Sequence, residues 1–78
     1  MVQTTTTPPT PEAVAELKKR VRRLNSRAGQ MKMDLHDLAE GLPTDYEKLI
    51  EEATKTYDIY CQLAELKQQL KTWESQLQ

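Results

Sequence analysis

The sequence predicts an all-α fold: an antiparallel two-helix hairpin that dimerises into a four-helix bundle. Three observations support this. Phenylalanine is absent, glycine occurs only 2 times, and no segment alternates apolar with polar residues, which leaves no strand to build a sheet from. Two long stretches repeat apolar residues at spacings of 3 and 4. Between them stands Gly41-Leu42-Pro43, a helix stop followed at once by a helix start.

Residues 1–10, MVQTTTTPPT, have nothing to bury and read as a disordered Thr/Pro-rich tail. The hairpin takes up residues 11–78, with a first helix over about 11–41, a turn at 41–44 and a second helix over about 45–77. Thr10 is a good N-cap, Pro11 suits the first helical position, and Glu12 complements the positive helix end. Val14, Leu17, Val21, Leu24, Ala28, Met31, Leu35 and Leu38 then form an unbroken heptad seam, one narrow apolar stripe that faces a partner helix. Gly29 lies inside it at about 1 kcal/mol against alanine, and close passage of another backbone would be a reason to keep it.

Gly41 can take the left-handed conformation just past a helix end, and Pro43 cannot continue a helix. Thr44-Asp45-Tyr46-Glu47 has the T-x-x-E form of a capping box. So short a connection makes the helices antiparallel neighbours. The second seam runs through Leu49, Ala53, Thr56, Tyr60, Leu63, Leu66, Leu70, Trp73 and Leu77, shifting by one position near Leu63. Tyr57, Ile59 and Ala64 widen its apolar face beyond what one helix covers, so a second hairpin is expected against it.

A chain of 78 residues seldom holds itself together without metal, disulfides or a partner. Cys61, the only cysteine, cannot form an internal bridge, and no apolar run suits a signal peptide or a membrane span, so a cytoplasmic setting is expected. Formal net charge is −1, but residues 12–33 carry seven basic side chains against two acidic ones. Residues 34–58 reverse this with eight acidic against two basic, and the remainder is neutral.

Two chemistries are worth weighing. His36 and Glu40, four residues apart on one helix face, can share a divalent transition metal; Asp37 is adjacent, and Glu47 comes near from the second helix. The plainer reading is a solvated histidine complementing the helix C-terminus. The basic run KKRVRR, Lys18 to Arg23, with Arg27 after it, is the alternative function, an RNA-binding hairpin dimer. Its helix lacks aromatic side chains for base stacking, which counts against nucleic acid. Cys61 reads as a small packed residue, and Tyr57, Tyr60 and Trp73 as core or interface aromatics. Catalytic constellations, phosphate loops and a cleft are all missing, so an enzyme is not expected.

The run LNSRAGQMKMDLHDLAEGLP, Leu24 to Pro43, followed by YDIYCQLAELK, Tyr57 to Lys67, resembles the small proteins of unknown function encoded in nitrogen-fixation gene clusters of cyanobacteria and proteobacteria. These are Rop-like hairpins and suspected metalloproteins. The resemblance is most specific over Ala28 to Pro43. It implies a cytoplasmic, dimeric, non-enzymatic accessory protein beside nitrogenase assembly or maturation, with His36 as the metal position.

Overall fold

The computed structural model describes residues 9–77. The tail expected over 1–10 lies almost wholly outside them. Two helices, α1 (Pro11–Glu40) and α2 (Leu49–Leu77), pack side by side as an antiparallel hairpin. Thr10 caps α1 in extended geometry, its hydroxyl accepting the Ala13 N–H at 3.0 Å, with Pro11 in the first turn.

The turn departs from expectation in three respects. Gly41 is not left-handed (φ −86°); its N–H bonds to the Asp37 and Leu38 carbonyls at 3.2 Å each, and Asp45 takes the left-handed conformation instead, at φ 58°. The Thr44/Glu47 capping box does not form. A single 3-10 turn, Tyr46–Lys48, leads into the second helix with no side-chain cap, so α2 begins at Leu49 rather than near 45. The cause is a run of backbone turns: Thr44 N–H to Gly41 C=O at 3.0 Å, Tyr46 to Pro43 at 3.3 Å and Lys48 to Asp45 at 3.0 Å. The Thr44 N–H, one of the two donors that a capping box would serve, is already bonded three residues back.

Among the described residues five hydrophobic side chains are buried: Val14, Leu17 and Ala28 on α1, Ile59 and Leu63 on α2. Val21, Leu24 and Met31 pack on the cluster of Ala28, Ile59 and Leu63. Ala28 is fully buried, and its small side chain lets the helices approach closely at their midpoint. The α2 seam does not shift. Leu49, Glu52, Thr56, Ile59, Leu63, Leu66, Leu70 and Trp73 are buried or half-buried at unbroken spacings of 3 and 4. Ile59 therefore replaces Tyr60 and Glu52 replaces Ala53, while Tyr60, Ala53 and Leu77 are exposed. Glu52 serves because its aliphatic stem can lie along the seam with the carboxylate outside, where Lys55 Nζ meets it at 3.5 Å.

Candidate functional site

His36 projects from α1 beside the inward-facing Leu35, with its side chain 68% exposed. The ring nitrogens face different carboxylates: Nδ1 lies 3.7 Å from Asp37 Oδ1, and Nε2 lies 3.6 Å from Glu40 Oε2. The His36/Glu40 pair thus has the spacing to share one cation on the Nε2 side, and Asp37 lies on the other side of the ring. Glu47 stands in the 3-10 turn and makes no ion pair with His36. Among the described residues no group of three or more histidine, cysteine, aspartate or glutamate side chains converges to hold a metal. One hairpin therefore offers two ligands at most, short of the three or four that a firm transition-metal site needs.

The basic helix presents a different arrangement. Arg20, Arg23 and Arg27 line a groove between α1 and α2 with Leu24, Gln62 and Leu66. Lys18 crosses to Glu74 at 3.3 Å, Lys19 pairs with Glu16 at 3.8 Å, and Lys48 and Lys55 also meet carboxylates. Among the described residues none of the arginines has such a pair. Four lysines thus meet carboxylates within the chain, while the arginines, whose guanidinium suits bidentate recognition, do not.

A third feature escaped the sequence reading. Tyr46, in the 3-10 turn, and Ile50, Ala53, Tyr57, Tyr60 and Ala64 on α2 recur at spacings of 4 and 3 on a side that the seam does not use. All are exposed, Ile50 by 79%, Tyr57 by 69% and Tyr46 by 65%. The signal was the second heptad repeat, hidden because Tyr60 and Ala53 had been assigned to the first. Cys61 is exposed beside this stripe rather than packed. The Tyr57 phenol donates to the Cys61 sulfur, and this bond, with the negative charge of the ionised Cys61, some desolvation and the Asp58 carboxylate, raises Tyr57 above its ordinary pKa. Among the described residues no helix is long and apolar enough to cross a membrane.

The Rop-like family model matches residues 12–75. A UPF0437 protein of Nostoc sp. is 62% identical over 81% of this chain and 89% of its own length. Another, from Frankia alni, described as lying in the nifX-nifW intergenic region, is 48% identical over 64% of this chain and 61% of its own. A crystal structure of a DUF683-family protein from the cyanobacterium Cyanothece 51142 is 70% identical, with a TM-score of 0.86 over 90% of this chain and 99% of that one. With the hairpin, its seams and the match over both helices in agreement, the chain belongs to the Rop-like family, among the UPF0437 proteins.

Proposed function

We propose that this chain is a non-enzymatic, cytoplasmic accessory protein of nitrogen fixation that works as a homodimer and docks a nitrogenase assembly or maturation protein on the outer face of α2. The observation that carries the reading is the exposed stripe from Tyr46 to Ala64, which no other part of the hairpin covers. Apolar heptads facing outward fit a helix on another protein and do not fit a substrate pocket. The direction toward nitrogen fixation comes from the Frankia alni relative in the nifX-nifW region. A divalent transition metal belongs to the proposal through His36 and Glu40, and the docked protein would complete its ligands. The RNA-binding alternative rests on the arginines without carboxylate partners; the absence of aromatic residues from α1 ranks it second.

The test is recovery of the tagged chain from nitrogen-fixing cells, in parallel with an Ile50→Asp/Tyr57→Asp double variant. A nitrogenase assembly or maturation protein recovered by the native chain and lost from the equally helical variant supports the reading. Identical sets recovered by both, or recovery of RNA alone, overturns it.

A further inference from the structure

We infer that the outer stripe of α2 takes one kind of partner, an amphipathic helix of another protein whose apolar side lies on Ile50, Tyr57 and Tyr60 and whose flank is basic. The inference rests on the proposed docking at this face and names the chemistry of what docks. Its basis is the border of the stripe. Glu51 directly follows Ile50, Asp58 follows Tyr57 and Glu65 follows Ala64, so each stands about 100° round the helix from a stripe residue and all three line one flank. In the 3-10 turn Glu47 follows Tyr46 in the same way. These four carboxylates are exposed, and among the described residues none has a salt bridge. On α2 the border toward the seam is neutral: Leu49, Thr56 and Leu63, each one residue before a stripe position, are buried or half-buried.

The nearest lysines do not cancel this flank. Lys55, two residues before Tyr57, points about 160° away from the stripe and meets Glu52 at 3.5 Å, while Lys48 meets Asp45 at 3.9 Å. Lys55 also lines the groove with Arg27 and Asp58, so Asp58 is shared between the two faces and Glu47, Glu51 and Glu65 belong to the stripe alone. Lys67 and Lys71 take the next two places in the spacing of 3 and 4, which ends the apolar run at Ala64. The run from Tyr46 to Ala64 is about 27 Å long, the reach of a single helix.

Charge selects the occupant. A helix with lysine or arginine along its flank sets them opposite Glu51, Asp58 and Glu65; an acidic helix sets like charges there. A second copy of this chain, laid antiparallel on its own stripe, would bring the acidic flank against itself, and laid parallel it would offer only the neutral border. The phosphates of RNA and of anionic lipid meet the same repulsion.

Two labelled helical peptides test this, each about 30 Å long, sharing one leucine row and carrying either lysine or glutamate along its flank. They are titrated with the full chain at low salt and followed by fluorescence anisotropy. The native chain is expected to bind the lysine peptide about tenfold more tightly than the glutamate one. Glu51→Lys/Glu65→Lys reverses that order, and Glu65→Lys alone, which leaves the first turn of α2 untouched, narrows it about threefold. Ile50→Ser/Tyr57→Ser, unchanged in charge, loses both peptides. A native chain that binds the two alike, a preference that survives in helical Glu51→Lys/Glu65→Lys, or lysine-peptide binding kept by Ile50→Ser/Tyr57→Ser overturns the inference. So does a native chain that binds neither peptide and whose self-association in sedimentation is lost in Ile50→Ser/Tyr57→Ser, which assigns the stripe to a second copy. Recovery from nitrogen-fixing cells separates this from the reading beneath it. A nitrogenase protein recovered through the stripe by a chain that does not discriminate between the peptides keeps the docking and strikes the basic helix; discrimination with no such protein recovered keeps the basic helix and strikes the partner.

Discussion

His36 was legible as a residue that meets carboxylates, and its two partners are the neighbours that helical spacing gives it. What sequence could not give was convergence, because Glu47 sits in a turn whose backbone bonding no spacing rule supplies. If His36 holds metal, His36→Ala abolishes binding in a calorimetric titration and leaves the helical circular-dichroism signal unchanged, since the side chain lies outside the seam. Tyr57 offers a second handle. Its folded-state pKa lies above the ordinary 10.0, so the thiol contact stabilises at neutral pH and is lost as pH rises through the raised value. Ultraviolet titration of Cys61→Ala should show that phenol ionising at lower pH. A Cβ added at Gly29 meets nothing within 4 Å, so no backbone of this chain accounts for the glycine. Gly29→Ala should therefore raise the melting free energy by up to about 1 kcal/mol.

At the scale of elements, the first helix was read almost to the residue, because Thr10, Pro11 and the heptads all point the same way. The second departs from its expected seam in the middle. Tyr60 and Ala53 look like better seam residues than Ile59 and Glu52 only when each is judged alone; strict periodicity admits Glu52, with its stem inside and its carboxylate out. The capping box fails for a related reason: Thr44 and Glu47 have the right letters, but the turn to Gly41 already holds the Thr44 N–H. The two termini therefore respond differently to mutation. Thr10→Ala, which removes the 3.0 Å bond to the Ala13 N–H, should cost about 1 kcal/mol in chemical denaturation. Thr44→Ala should change stability by less than about 0.5 kcal/mol.

The whole molecule turns two faces outward, and they differ in character. One is the groove with its charged edges; the other is the outer stripe of α2, apolar along six positions. Charge segregation along the chain was visible in the sequence, but which side chains border the groove was not, since that depends on how α1 and α2 are rotated against each other. The homodimer proposed above should weaken modestly as salt rises from tens to hundreds of millimolar, because exposed charges are screened over about 10 Å at 0.1 M. Thermal melting should in turn depend on protein concentration, as it does wherever folding is linked to association.

The hairpin topology also sets an order in time. Met31 and Ile59, near the middle, are much closer along the chain than Lys18 and Glu74, which meet at the open end. Closing the inner contacts loses less chain entropy, and each pairing formed shortens the loop that the next must close. The helices should zip outward from the turn and fray back from the open end. Amide hydrogen exchange should then record a gradient in each hairpin, slowest around Ala28, Ile59 and Leu63 and fastest toward Pro11 and Leu77, with the ends opening many times for each opening of the middle.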